Sequence, residues 1–231
     1  MKRLIPMLMV LFMVLSGWET GYAQTTLREI YRQWTYETVL NDFNTLQCNI
    51  RCTFLSPQLL QAWQQSETDA TVANRVTALI NAMQQQNVLI YILTVDPGES
   101  DLYLVDFRKI QKKSRLFITD KKSKGYKPKR VTNNLKRKLT ARQPYYGAMA
   151  FVAESSSAMF QTLRIETKFE YFEKFNIPDE EENKEFELQF NFHAAGAPRE
   201  QVPATVPGTQ EILGQLKVAF SLVNLVTKQN I

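Results

Sequence analysis

One histidine, two cysteines and eight glycines are all that this 231-residue chain holds of three residue types on which much enzyme chemistry depends. The lone imidazole, His193, cannot form the histidine pair of an H-E-x-x-H zinc site, and the glycines build neither a G-x-x-x-x-G-K phosphate loop nor a G-x-S-x-G elbow. A serine triad would have to take His193 as its base. The run Ser155-Ser156-Ser157 lacks the sharp turn that exposes a nucleophile. Glutamates 170, 173, 180, 181, 182, 185 and 187 hold carboxylates enough for acid and base roles, but their spacing selects no pair from a solvated acidic segment. No catalytic residue, metal site or cofactor is therefore assigned.

What is there begins with Lys2 and Arg3, followed by the apolar run Leu4 to Leu15 and a polar segment closing in Gly21-Tyr22-Ala23. A positive start, an apolar stretch shorter than the roughly 20 residues that span a bilayer, and small residues at the two recognition positions describe a secretory signal peptide. Cleavage is expected after Ala23, giving a mature chain that starts at Gln24 with no transmembrane span. The expected location is the periplasm or the extracellular medium.

Hydrophobic residues make up 44% and aromatics 11% of the chain, enough to offset conformational entropy with a packed core. The net charge of +5 is too mild to name a partner, but its distribution is uneven. Residues 108–142 hold fifteen lysines or arginines against one carboxylate, Asp120, whereas residues 166–187 hold nine carboxylates against three lysines. An electrically polarised molecule follows, unless folding brings the two segments together. In the basic segment, Lys121, Lys122, Lys124, Lys127, Lys129, Arg130, Lys136, Arg137 and Lys138 are the candidates for holding a polyanion. In an exported protein that polyanion would be anionic lipid, lipopolysaccharide or an acidic glycan, and export argues against nucleic acid. The competing role of these lysines is to keep sheet edges from pairing with other chains.

Periodicity predicts a helix over residues 26–47, broken from Cys48 to Leu55. Ser56-Pro57 reads as an N-cap followed by proline at the first helical position, opening a short helix with Leu59, Leu60 and Trp63 on its apolar side. Thr68 or Asp69 caps a longer helix that carries Val72, Val76, Leu79, Ile80 and Met83. The continuous apolar run Val88 to Val95 predicts a strand covered on both faces, with 102–107 returning beside it. Further strands are expected at 115–119, 126–131, 145–153, 163–175 and 186–192, the first two joined by the polar turn 120–125. The last pair is separated by the acidic connection 178–183. Residues 194–208 read as a proline-containing linker and 209–228 as a final helix. The resulting organisation is a signal peptide (1–23), a helical N-terminal segment (24–87), an antiparallel β domain (88–193), the linker and a C-terminal helix (209–231). The fold class is α+β, an antiparallel sheet or sandwich of about six to seven strands with helices at both ends.

Cys48 and Cys52, in C-N-I-R-C, are expected to form a small disulfide in an oxidising compartment, provided the helix ends near Cys48. Together with His193 they are similar to the ligand set of the copper-delivering, thioredoxin-like proteins that assemble cytochrome oxidase, and that resemblance implies a Cu(I) or thiol-redox site. It covers three residues. Thr53 stands where that family has a proline, and the later strands read as antiparallel. The sequence thus supports an exported, non-enzymatic binding protein, with thiol or copper handling at Cys48, Cys52 and His193 as the alternative.

Overall fold

The computed structural model describes residues 27–42, 46–96, 103–105, 107–118, 125–134, 144–152, 162–173, 183–193 and 196–222. The expected signal peptide, residues 178–182 of the acidic connection 178–183 and residues 120–124 of the turn 120–125 lie outside them. A short helix, α1 (residues 27–33), opens this part of the chain. It buries Leu27 and Tyr31, with Trp34 just beyond its end, at the three-to-four spacing of one helical face. It stops at Thr35, whose hydroxyl donates to the Tyr31 carbonyl at 2.7 Å and so satisfies one of the orphan acceptors of the last turn.

From there the structure departs from the long helix expected over 26–47. Residues after α1 form two antiparallel strands, β1 (Thr35–Asp42) and β2 (Leu46–Phe54), in register from Thr35↔Thr53 to Asp42↔Leu46. The reason is composition: Thr35, Tyr36, Thr38 and Val39 are β-branched or aromatic and pack well on a pleated surface. The N-terminal segment is accordingly not all helical.

Two helices follow where expected. Ser56 caps α2 (Pro57–Ser66), accepting from the Leu59 N–H at 3.1 Å, and Pro57 occupies the first turn. Asp69 caps α3 (Ala70–Gln86) by accepting from the Thr71 and Val72 N–H groups, which hold its carboxyl below the usual aspartate range. Helix α3 ends at Asn87 in the left-handed conformation.

Strand β3 (Val88–Asp96) is buried from Val88 through Val95, as a central strand should be. Its neighbours are β2 and β7 (Tyr145–Val152), however, not the segment 102–107. That segment instead gives β4 (Tyr103–Val105), which belongs to another sheet, and the start of helix α4 (Phe107–Lys113). The remaining strands are β5 (Arg115–Ile118), β6 (Arg130–Asn133), β7 (Tyr145–Val152), β8 (Thr162–Glu173) and β9 (Asn183–His193). All pairings are antiparallel. The first sheet runs β1-β2-β3-β7-β6; in the second, β8 carries β9 on one edge and β4 and β5 end to end on the other.

The two charged segments meet in the second sheet: Arg115 of β5 stands opposite Glu166 of β8. Folding therefore sets part of the basic segment beside part of the acidic one.

The sheets face one another through aromatics. Tyr36, Phe54, Tyr91 and Phe151 share one face of the first sheet, and Phe190 and Phe192 of β9 pack on it with ring centroids 5.3 to 6.4 Å apart. Each ring of this size contributes about 1.5–3 kcal/mol when fully buried. The opposite face carries Thr35 and Thr53, hydrogen-bonded to each other at 2.9 Å beneath α1. Here α5 (Thr209–Leu216), continued by a 3-10 turn at Lys217–Ala219, joins α1: the Tyr31 hydroxyl donates to Gln215 Oε1 at 3.0 Å. The proline-containing stretch before α5 is not a loose linker. Arg28 donates to the Val206 carbonyl, Arg32 to that of Pro203, and the Ala197 N–H to that of Gln33, which lashes residues 197–206 along α1. Among the described residues no helix is long and apolar enough to cross a membrane.

Candidate functional site

The cysteines do not form the expected pair. Cys48 and Cys52 lie on one unbroken strand, β2, opposite Leu40 and Tyr36 of β1. Four residues of strand extend about 13 Å, whereas disulfide Cα atoms lie about 4.4–6.8 Å apart. Cys52 is a free thiol. It is completely buried, and burial pushes its thiol well above the ordinary range, the opposite of what a nucleophilic or redox-active cysteine needs.

His193 is exposed at the end of β9, its backbone bridged to Gly196 in both directions at 2.9 Å. Because Phe192 points inward against Tyr36, Phe54 and Tyr91, its neighbour His193 points to the outer face of the strand. A Cu(I) ion reaches its ligands at bond length, and two strand positions about 13 Å apart, with an imidazole on the outer face of another strand, do not supply such a set. Among the described residues no three His, Cys, Asp or Glu side chains are grouped to hold a metal ion. Glu170 and Glu185 occupy opposed positions in the β8–β9 register.

The basic segment is only partly within the described residues. Lys121, Lys122, Lys124, Lys136, Arg137 and Lys138 lie outside them, while Lys127, Lys129 and Arg130 are exposed leading into β6, the edge strand of the first sheet. Helix α4 adds Arg108 and Lys112, both exposed. What places α4 beside β6 is Gln111, a fully buried residue. Its amide donates to the Thr132 carbonyl at 2.8 Å and to the Ala148 carbonyl at 3.2 Å, and its Oε1 accepts from Asn133 Nδ2 at 3.3 Å. The approach is close enough to require glycine at 147, where a Cβ would stand 2.4 Å from the Thr132 carbonyl oxygen and 2.5 Å from Gln111 Nε2. Arg108 and Lys112 on α4 and Arg130 on β6 thus sit on neighbouring elements, with Lys127 and Lys129 just before the strand. Arg115, the first residue of β5, donates to the Ser114 and Lys113 carbonyls at 2.8 and 3.0 Å, so it serves the backbone at the end of α4 instead.

Sequence reasoning missed α4 and Gln111. A signal was present, since Phe107, Ile110, Gln111 and Ser114 recur at helical spacing and all four are buried, but the lysines between them masked the pattern.

A second candidate is a cleft of about 320 Å³ where α2 and α3 meet the ends of β2 and β3. Phe54, Leu55, Leu60, Val88 and Leu89 form its buried floor, Ile80 and Met83 its half-buried wall, and Pro57, Gln84 and Asn87 its mouth. Among the described residues no charged side chain lines it. Neither a family model nor a curated protein nor a solved structure matches this chain.

Proposed function

We propose that this is an exported, non-enzymatic binding protein that engages anionic surfaces through its basic segment. The observation that carries the reading is the docking of α4 on β6 and β7 by Gln111. It sets α4, which carries Arg108 and Lys112, beside β6, which begins with Arg130 just after Lys127 and Lys129. Export is supported by the charged start, the apolar run and Gly21-Tyr22-Ala23. Intact-mass measurement of secreted or periplasmic material is expected to give a chain beginning at Gln24, and a soluble cytosolic protein that retains residues 1–23 would end the export reading.

Binding is tested with vesicles containing anionic lipid and with lipopolysaccharide, at low and at physiological salt. Affinity is expected to fall with salt, because exposed charges are screened beyond about 8–10 Å. A Lys127→Gln, Lys129→Gln, Arg130→Gln variant is expected to bind more weakly by on the order of a hundredfold if each cation contributes the usual amount at an anionic membrane. Equal binding by both proteins, or binding indifferent to salt, leaves these residues as guards of a sheet edge.

A further inference from the structure

The cleft between α2 and α3 has no part in that reading, and its construction is specific. Its floor is wholly apolar, whereas the side-chain hydrogen-bonding groups in its lining belong to Gln84 and Asn87 at the mouth. Asn87 is held there by its backbone: in the left-handed conformation at the end of α3, its N–H donates to the Met83 carbonyl. The cap is made by the main chain, which leaves the carboxamide uncommitted.

The size is that of a small-molecule site and not of a protein groove. A volume of 320 Å³ stands at the lower end of the roughly 300–1,000 Å³ of ligand pockets, and it equals about ten waters at about 30 Å³ each. A helix about 10–12 Å across does not fit such a space. One alkyl chain does, and Met83, with its adaptable thioether, lies in the wall that would close on it.

The electrostatics select the head group. Among the described residues no charged side chain lines the cleft, and none of them offers a partner to a carboxylate or an ammonium. The mouth also lies at the C-terminal end of the 17-residue α3, whose last turn contains no basic residue to offset the partial negative charge of its carbonyls. That end repels an anion and suits a hydrogen-bond donor. We propose that the cleft binds one molecule of a neutral, hydroxyl-bearing amphiphile of the monoacylglycerol type. Its alkyl chain lies on Phe54, Leu60 and Leu89, and its hydroxyls meet the amides of Gln84 and Asn87.

The test is calorimetric titration of the full chain with monomeric monoacylglycerols from about six to about fourteen carbons. Affinity is expected to rise by up to about fourfold per added methylene and then level off once the cleft is full. A fatty acid of equal length, ionised at the assay pH, is expected to bind about two- to fivefold more weakly. Met83→Trp fills the cleft and is expected to abolish binding. Gln84→Trp, at an exposed position on the mouth, is expected to weaken it about tenfold and decides the matter should the first variant not fold. Absence of binding overturns the proposal, as does affinity that climbs with chain length without levelling off, equal preference for the carboxylate, or indifference to both substitutions. Ligand and variants alike leave the cationic residues untouched, so the outcome is independent of the anionic-surface reading.

Discussion

Tyr91 carries a hydroxyl to a place where nothing meets it. The residue is completely buried between Phe54, Phe151 and Phe192, its hydroxyl has no hydrogen-bond partner among the described residues, and burial, with a smaller contribution from Cys52, drives its pKa well upward. The ring is useful there and the oxygen is a burden. Tyr91→Phe is expected to raise stability by about 1 kcal/mol in urea denaturation, since it removes a desolvated group and keeps the packing. A loss of that size would mean that the hydroxyl has a role the packing does not explain. At this scale the sequence was a poor guide. Two cysteines four residues apart read as a closed loop as long as their backbone was taken to be leaving a helix, and an extended strand puts them out of reach of each other. Gln111 was invisible because burial of an amide depends on which carbonyls face it, and those belong to Thr132 and Ala148, far along the chain.

Among the elements, those with local signals were legible. Ser56-Pro57 announces α2, Asp69 caps α3, and the run from Val88 to Val95 is a central strand, because caps and continuous apolar runs need no distant partner. The hairpin β1–β2 was misread because Trp34 and Thr38 keep the four-residue spacing of a helical face while Tyr36, Thr38 and Leu40 alternate as in a strand. Strand β3 was recognised while its neighbour was not: the pairing with β7 joins residues such as Val88 and Val152, a choice that propensity does not make. Helix α4 owes its position to the absence of a side chain opposite it. Gly147→Ala would put a methyl against the Thr132 carbonyl, the Gln111 amide and, at 2.7 Å, the Phe107 ring. Strain of this kind costs about 1–3 kcal/mol, with the separation of a buried amide from its acceptors adding to it. The expected result is a lower denaturation midpoint together with faster hydrogen exchange in α4 and β6. Unchanged exchange there would show that α4 is held by something other than this contact.

At the scale of the molecule, the two ends of the described chain are one structural unit. Residues 197–206 run along α1, and α5 meets α1 at Tyr31 and Gln215. The α+β class and the antiparallel sheets were readable from the order of strands and helices, but this closure was not, since a proline-containing stretch without a periodic face looks like a linker. A chain cut after Gly196 is expected to keep much of its far-ultraviolet circular dichroism, lose its near-ultraviolet signal and bind a hydrophobic dye, because the helical face of the first sheet is left uncovered. Retention of a sharp, cooperative unfolding transition would contradict this. The closure also sets a schedule. Tyr31 and Gln215 are 184 positions apart, so at synthesis rates of about 5–20 residues per second the phenol waits roughly 10–40 s for its acceptor. The hydrogen bond that joins α1 to α5 thus cannot form until synthesis has passed residue 215, and through that interval α1 lacks the partner that covers its Tyr31 face.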